Sequence, residues 1–498
     1  MKKILYVFMT VAALTGCNNV QVPANFNETG QRAAVYPDYQ GVTVPVNIAP
    51  LHFQFMQEAD EVVTRFRAGS EELVLAGKKV CPDFDEWKTL VAQVTGHDSI
   101  GVEVFARKGD TWSRFTPFGI YVSPDSIDPW LTYRLISPSY VTYEELTLNQ
   151  RCLESYEERV IYDNMLCSTE NDGQCINCHH SQLGNPRRTQ FHARQNLGGT
   201  MLQIDGQLYK VNLKTDSTLS AGVYPAWHPK ENILAYSTNK TMQSFHTRDI
   251  DKVEVLDSQS DLILYDPTTN EVSTIENDST EFETFPCWSP DGQWLYYCSA
   301  HFEFRDSTFD SKDGECIIRY KDFKYNVYRK SFDVKTRQFG PRQLVFNADS
   351  AGVSATLPRV SPDGRFLLLA VGEWGTFHIW HRDADLWLMD LQTDSIRPFT
   401  EVNSPTVESY HTWSQSGRWI VFSSRRDDGN FTRPFFAHVD AEGHASKPFE
   451  LPSDDPNYHR ELMKSYNVPE FLLGPVEIAP QTFADALKKE AKPAVYKR

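Results

Sequence analysis

The stretch Phe285-Pro-Cys-Trp-Ser-Pro-Asp-Gly-Gln-Trp-Leu-Tyr-Tyr-Cys-Ser-Ala300 has the pattern of a β-hairpin, with two short apolar strands around the turn Ser289-Pro-Asp-Gly292. Proline at the second position of such a turn fixes φ, aspartate tolerates the turn conformation, and glycine supplies a positive φ. The same pattern occurs three more times, in stretches that begin at Tyr224, Leu357 and Tyr410. Four copies of one hairpin indicate a repeat architecture.

Each copy is followed by a second pattern, in which apolar residues alternate with polar ones around a polar turn. These second patterns begin at Asp261, Asn326, Asp385 and Arg433. The alternation predicts a second hairpin, so each repeat is expected to form a four-stranded sheet. Such sheets, repeated radially, make the blades of a β-propeller. The uneven spacing is absorbed by insertions at residues 239–260 and 301–325, which we expect to be loops or extended hairpins.

The repeats resemble the TolB-like propeller repeat over residues 198–451. Residues 206–215 look like the closing hairpin of a further unit, which makes five recognisable units in all. The resemblance implies a mainly β protein with a TolB-like β-propeller of five to six blades. The sixth blade forms if the preceding segment or the C-terminal tail, residues 452–498, closes the ring.

The N-terminus has the layout of an export signal. Two lysines precede the apolar segment Ile4–Leu14, and the tetrad Leu14-Thr-Gly-Cys17 follows. The tetrad resembles a bacterial lipobox, which implies a lipoprotein signal peptide at residues 1–16, lipidation of Cys17 and a linker over residues 17–44. The alternatives are an ordinary signal peptide and a membrane anchor, although the apolar segment is too short to span about 30 Å of bilayer. The two residues directly after Cys17, Asn18 and Asn19, are not acidic, so the expected location is the outer membrane, facing the periplasm.

The formal net charge of −17 limits the partners of the protein. An acidic surface repels the phosphate backbone of nucleic acids and anionic lipid headgroups. We therefore expect no nucleic acid partner, and membrane association only through the lipid anchor. An envelope protein or a redox protein is the expected partner.

The region before the repeats divides into two parts. Residues 45–127 contain strand-like runs around one helix-like segment, Phe84–Val94, which predicts a small β-rich, β-sandwich-like domain. Residues 128–197 are predicted to be a short helical segment that binds haem, because Leu146, Leu153, Tyr156 and Val160 have helical spacing.

This second part contains the motif Cys175-Ile-Asn-Cys178-His179. Two residues between the thiols match the separation of the two vinyl groups of haem, and the adjacent histidine can be an axial iron ligand. A redox dithiol is an alternative, but such pairs begin a helix within a βαβ pattern that is missing here. A zinc site is another, but it needs a second ligand pair. The export signal favours haem, because covalent haem attachment takes place outside the cytoplasm.

The match to c-type cytochromes is confined to this pentapeptide. The whole chain resembles a group of exported Bacteroidetes-type lipoproteins, in which a Cys-x-Asn-Cys-His segment precedes a TolB-like propeller. The stretches that carry this resemblance begin at Asp128, Asn149, Cys175, Phe191 and Tyr224. It implies one covalently attached haem c.

Several residues are candidates for the second axial ligand of the iron. His192 is the first candidate, because its loop leads into Gly198-Gly199, where the backbone can approach a flat cofactor closely. His246 is the next candidate. Other nearby residues of a suitable type are His180, Met201 and Met242. Three arginines that could pair with the haem propionates are Arg187, Arg188 and Arg194.

These observations lead to a principal hypothesis of electron transfer by a haem-bearing envelope lipoprotein. One alternative is a propeller that serves as a protein-binding scaffold with a structural Cys/His site. Another is a haem enzyme, an oxidoreductase, with an open position on the iron. No hydrolase arrangement is apparent, since Ser289 and Ser361 are turn residues. Cys152 and Cys167 are a possible disulfide pair, whereas Cys287 and Cys298 fit buried thiols.

Overall fold

The computed structural model describes residues 20–137, 145–169, 172–249, 251, 253–305 and 312–497. Within these residues the protein is mainly β, as predicted, and its strands form seven sheets. The predicted signal peptide and Cys17 lie outside the described residues. No helix in the described ranges combines the length and the apolar character needed to cross a bilayer.

The N-terminal region is β-rich and carries one helix, as predicted. Its elements are β1 (Asn27–Arg32), β2 (Val35–Tyr36), β3 (Thr43–Pro45), β4 (Phe53–Phe55), β5 (Glu61–Ala68), β6 (Glu71–Ala76), β7 (Lys79–Val80), α1 (Phe84–Val94), β8 (Ser99–Lys108), β9 (Thr111–Thr116) and β10 (Phe118–Ser123). A seven-stranded sheet runs in the order β1-β9-β8-β10-β3, with β5 and β6 added at β8. Helix α1 begins in a capping box of Asp83 and Glu86, and buries Trp87, Leu90 and Val94.

The helix that the spacing of Leu146, Leu153, Tyr156 and Val160 predicts is wrong. The region forms the strands β11 (Trp130–Ile136), β12 (Thr147–Cys152) and β13 (Glu158–Asp163), which are antiparallel. Strand β11 is buried along its whole length, so its backbone N–H and C=O groups need partners in neighbouring strands. The helical spacing of Leu146 and Leu153 is outweighed by these long-range pairings and by the run Val160-Ile161-Tyr162, which favours a strand.

The motif Cys175–His179 lies on a strand. The antiparallel sheet here consists of β14 (Gln174–Ser181), β15 (Arg188–Gln195), β16 (Gly199–Ile204) and β17 (Gln207–Asn212). A closing hairpin is expected at residues 206–215; only β17 lies there, and it forms the hairpin with the preceding strand β16. Its opening hairpin is β14–β15, so Cys175–His179 belong to the first strand of a four-stranded sheet and not to a helical segment.

Two further meanders follow. Their elements are β18 (Val223–Trp227), β19 (Leu234–Phe245), β20 (Val253–Asp266), β21 (Glu271–Glu276), β22 (Glu281–Trp288), β23 (Trp294–His301), α2 (Lys312–Ile318), β24 (Asn326–Asp333) and β25 (Gln338–Phe346). One bridge from β20 to β22 joins the two meanders into a larger sheet. The insertion over residues 239–260 is an extended hairpin of β19 and β20, which is one of the two forms predicted.

The next two meanders are separate four-stranded sheets. They consist of β26 (Ser354–Val360), β27 (Phe366–Gly372), β28 (Asp385–Asp390), β29 (Ser395–Pro398), β30 (Glu408–Trp413), β31 (Trp419–Ser424), β32 (Arg433–His438) and β33 (Phe449–Glu450). Short 3-10 turns occur at Asn164–Leu166, Gln182–Gly184, Tyr320–Asp322, Asp349–Ala351 and His378–Trp380.

The C-terminal tail returns to the earlier sheets. Its elements are α3 (Tyr458–Glu461), β34 (Ser465–Leu472), α4 (Pro480–Leu487), β35 (Lys492–Pro493) and β36 (Val495–Tyr496). Strand β34 pairs with β11, which completes a four-stranded sheet in the order β13-β12-β11-β34. Strands β35 and β36 add to β17 and β21. Chain segments some 300 residues apart, such as Arg134 and Asn467, are therefore neighbours in one sheet.

Six strands, here called the inner strands, contact one another in sequence: β14, β18, β22, β26, β30 and β34. Each has a register shift in its pairing, and each carries one residue with a left-handed backbone. These residues are Cys178 (φ 50°), Tyr224 (φ 48°), Phe285 (φ 51°), Leu357 (φ 53°), Tyr410 (φ 45°) and Val468 (φ 52°). Such a conformation is uncommon for residues other than glycine, so its recurrence marks a shared structural feature.

The hydrophobic core is continuous between the N-terminal region and the sheets behind it. One cluster joins Phe53 and Phe66 of the N-terminal region to Trp419 and Tyr466 of the later strands. Another lies between the inner strands and includes Phe285, Leu357 and Leu368. The N-terminal region is thus packed onto the repeat sheets and is not an isolated unit.

Candidate cofactor site

The bulges of the inner strands surround a cavity of about 540 Å³. All six residues with left-handed backbones line it, together with Pro225 and Pro286. Cofactor and small-molecule cavities have volumes of about 300–1,000 Å³, with walls that are mostly apolar and carry a few convergent polar groups. The size and the lining of this cavity fit that description.

The three residues of the predicted attachment motif all lie on the wall of this cavity. Cys175, Cys178 and His179 border it from β14. Normal strand pairing is interrupted between Asn177 and His180, and the bulge places Cys178 and His179 beside the same space although they are consecutive in sequence. The side-chain amide of Gln190 donates to the carbonyl oxygen of Cys178 and so holds the bulge.

His179 is buried without the hydrogen bonds that a buried imidazole ordinarily makes. Neither ring nitrogen has a hydrogen-bond partner of good geometry among the described residues. Burial lowers the pKa of His179 to about 4, although the carboxylate of Glu470 acts in the opposite direction. The ring is therefore neutral at neutral pH and keeps a lone pair available, as a metal ligand must.

His180, next to it, is already engaged. Its Nδ1 lies 2.6 Å from Oε1 of Glu470, a residue of β34. Burial alone would raise the pKa of Glu470, but the adjacent His180 ring brings it below its ordinary value. The pair joins the first inner strand to the last.

The cavity wall carries more positive than negative charge, although the chain as a whole is acidic. Arg134, Arg194 and Arg359 line the cavity, whereas Glu470 is the only carboxylate among the described wall residues. Arg134 donates to Asn177 Oδ1 at 3.0 Å and to Asn467 Oδ1 at 2.8 Å, which fixes its guanidinium beside the motif. Such a wall favours a ligand with anionic groups.

Of the three arginines singled out in the sequence, only Arg194 lines this cavity. Arg187 donates to the carbonyl oxygen of Asp205 at 3.2 Å. Arg188 donates to Gln182 Oε1 at 3.0 Å and lies over the Trp227 ring. Arg134 and Arg359 were missed because they are far from the motif in sequence, and only sheet pairing brings them to it.

The structure does not bring the two favoured second ligands to the cavity wall. His192 is buried in β15, with Nδ1 3.1 Å from the Thr200 hydroxyl oxygen. His246 lies beyond the end of β19, against the ring of Tyr320. Met201 is fully buried in a different core cluster. Met242, in contrast, lines the cavity.

The cysteines form no disulfide among the eight that the structure describes, so the suggested pair of Cys152 and Cys167 is wrong. Cys287 and Cys298 are buried thiols, as expected. Within the described ranges, no group of three or more His, Cys, Asp and Glu side chains is arranged to hold a metal ion. Cys175, Cys178 and His179 thus border a volume and do not converge on one point.

Comparisons with known proteins give no family. No family model matches the chain, and no curated protein matches it either. Among solved structures, it is similar to a variant of the Synechocystis apocarotenoid oxygenase, with 11% identity over 89% of this chain and 97% of that one, and a TM-score of 0.36. It is also similar to Kuenenia stuttgartiensis hydrazine synthase, with 10% identity over 54% of this chain and 64% of that one, and a TM-score of 0.31. A third similar structure is prolyl oligopeptidase B from Galerina marginata. Its identity to this chain is 10%, over 71% of this chain and 42% of that one, and the TM-score is 0.35.

Proposed function

We propose that the protein is an envelope lipoprotein with a six-bladed TolB-like propeller, whose central cavity holds one haem c for electron transfer. In this proposal Cys175 and Cys178 bind the haem covalently and His179 is an axial ligand of the iron. The observation that carries the proposal is that all three residues border one cavity, where the His179 ring is buried and lacks a hydrogen-bond partner of good geometry among the described residues.

The six blades are supported by the arrangement of the sheets. Each inner strand begins or completes a four-stranded antiparallel unit, and successive inner strands are in contact. The blade that contains β34 combines the C-terminal tail with three strands from the segment before the repeats, so pairing within one sheet would close the ring. Both sources considered in the sequence for the sixth blade contribute to it.

The chemistry of the wall supports haem over the two alternatives for the motif. A zinc site requires ligands that converge on one point, and the described residues offer no such group. A catalytic dithiol ordinarily begins a helix, whereas Cys175 and Cys178 both lie on a strand and Cys178 is buried. Haem supplies a one-electron Fe(III)/Fe(II) couple, and Cys175, Cys178 and His179 are the residues that would hold it.

The arginines on the cavity wall also favour haem as the ligand. Haem carries two propionates, and Arg134, Arg194 and Arg359 provide cations on the wall of a partly enclosed cavity. Guanidinium groups bind carboxylates with two parallel hydrogen bonds, which orients as well as attracts them. Apolar rings such as Phe285 and Phe377 line other parts of the wall and would exclude water from the cofactor.

We also propose that the protein is located at the outer membrane and faces the periplasm. A lipid on Cys17 would hold the protein at the outer membrane, with the described residues in the periplasm and an envelope or redox protein as partner. The acidic net charge suits a partner with a basic docking surface.

The test is expression of the full chain in a bacterial host that attaches haem c, followed by a pyridine haemochrome spectrum and haem staining of a denatured gel. We expect one covalent haem per chain, which is lost in the C175S/C178S double variant. Cys81→Ser is the matched control, because Cys81 is exposed and does not line the cavity. Absence of covalent haem in the wild-type chain, with zinc or a disulfide in its place, would overturn the proposal.

A further inference from the structure

We propose that Met242 is the second axial ligand of the haem iron, and that the hairpin of β19 and β20 presents it at the wall of the cavity. This inference rests on the proposed function. It also chooses between two forms of that function, because a second protein ligand makes a closed site for electron transfer and not an open site for catalysis.

The register of β19 shows where the hairpin lies. The short strand β18 pairs with β19 only from Val223↔Ser237 to Trp227↔Leu234. Strand β19 then continues to Phe245, paired with β20 through Met242↔Leu256 and Gln243↔Val255. The hairpin therefore projects past the end of the sheet at which β18 begins.

That end of the sheet is also the end at which the motif begins. Cys175 is the second residue of β14, and the inner strands β14 and β18 lie side by side. Residues from both sides border the same cavity: Cys175 from β14, and Thr241, Met242, Gln243 and Val255 from the hairpin. The hairpin is thus a wall of the cavity that is contributed by a different element from the one that carries His179.

Apart from the motif, few of the described wall residues have a side chain that can bind haem iron. Among them, Met242 is the only one that is uncharged when it binds and has no ion-pair partner. The other imidazole on the wall, His180, is paired with Glu470. Tyr224 and Tyr410 would have to bind as phenolates, and burial raises the pKa of Tyr224 well above its ordinary value. A thioether, in contrast, needs no deprotonation to bind iron.

The hairpin is held by side-chain hydrogen bonds just before Met242 and on the opposite strand. The Thr241 hydroxyl donates to Asp257 Oδ1 at 2.7 Å, and the Asn239 side chain donates to Asp257 Oδ2 at 2.6 Å. Across the hairpin, Glu254 accepts a hydrogen bond from Trp374 Nε1 at 3.1 Å and lies 3.1 Å from His381 Nε2. These contacts fix the backbone of the hairpin, so the Met242 side chain is presented at a defined place.

The environment of Met242 is apolar on its other side. Its side chain packs against the cluster that contains Phe285 and Leu357, which are two of the left-handed residues on the wall. Burial of an axial methionine in such surroundings favours reduced, less charged iron, and His/Met ligation is associated with a raised potential. The proposed site is that of an electron carrier with a relatively high potential.

The test compares haem-loaded wild-type protein with M242A, M242H and M463A. Met463 is exposed and does not line the cavity, which makes M463A the matched control. We expect the ferric wild type to show the long-wavelength absorption band of thioether ligation, and the ferrous form to bind carbon monoxide slowly. M242A should lose the band and bind carbon monoxide rapidly, while M463A should behave as the wild type.

M242H distinguishes ligation from a packing effect. We expect it to restore slow carbon monoxide binding without the thioether band, and to lower the reduction potential. Equal carbon monoxide binding by wild type and M242A, in proteins that both carry covalent haem, would overturn this inference and leave the proposed function intact. A wild-type chain without covalent haem would overturn the proposed function itself.

Discussion

His179 of β14 occupies the position at which Pro225 stands in β18. Each follows a residue with a left-handed backbone at the bulge of an inner strand, Cys178 in one case and Tyr224 in the other. Proline also follows the left-handed residue in three other inner strands, at Pro286, Pro358 and Pro469. The proposed attachment motif is therefore a variant of the repeat, in which a shared backbone feature presents cysteine and histidine side chains to the cavity.

The remaining inner strand, β30, provides a control for the role of His179. His411 stands at the same position there and is also buried, but its Nε2 lies 3.0 Å from the Leu368 carbonyl oxygen. We expect H179A to change the spectrum of the bound haem, through loss of the axial ligand. H411A should leave the spectrum unchanged and lower the free energy of unfolding by about 1–3 kcal/mol, the cost of leaving a buried partner unsatisfied. Absorption spectra and urea unfolding of both variants separate these effects, and an unchanged H179A spectrum would contradict the assignment.

The arginines on the wall are expected to tune the bound haem. R194Q and R359Q each remove a cation from the cavity, and loss of nearby positive charge disfavours the reduced iron. Both variants should therefore have a lower reduction potential than the wild type in a redox titration. R187Q is the control, because Arg187 contacts the main chain of Asp205 outside the cavity. Equal potentials in all four proteins would show that the wall arginines do not approach the cofactor.

The buried carboxyl group of Glu283 should make the stability of the protein depend on pH. It is fully buried on β22, and burial raises its pKa from the ordinary value of 4.5 to about 8. Between these two values the folded protein holds a proton that the unfolded chain releases, so the contribution of Glu283 to stability falls as the pH rises.

The variant E283Q cannot ionise, so it should lose less stability than the wild type between about pH 5 and 8, by up to a few kcal/mol. Urea unfolding at several pH values measures the difference. E442Q, at an exposed turn, should follow the wild type. Parallel curves for the wild type and E283Q would show that Glu283 is ionised in the folded protein.

The C-terminal strand should be required for folding. Removal of residues 465–498 deletes β34, which leaves one edge of the buried strand β11 without its ladder partner and uncovers apolar side chains that pack against β34, such as Tyr133 and Phe436. We expect this truncation to be insoluble or to unfold without cooperativity. Removal of residues 492–498 deletes only the two-residue strands β35 and β36, so the protein should stay folded with a lower melting temperature. The solubility and the thermal unfolding of the two truncated proteins are the measurements that check this prediction.

Local patterns were sufficient to predict several elements. The turn chemistry of Ser289–Gly292 and its relatives predicted the repeated hairpins, because the conformations of proline and glycine are restricted or permitted locally. The segment Phe84–Val94 was predicted as a helix, and its capping box and apolar face are both short-range features. The motif Cys175–His179 was recognised from spacing alone, and the structure places all three of its reactive side chains on one cavity.

The order of the residues therefore determined the repeats, the helix α1 and the chemical character of the motif by itself. Only the tertiary structure decided that β12 and β13 form in place of the expected helix, because they belong to a sheet that is completed by β34, which lies some 300 residues further along the chain. It also decided which residues meet at the motif. Met242, Arg134 and Arg359 line the cavity while His192 does not, since sheet register and the shared bulges, and not distance along the chain, determine which side chains face the centre.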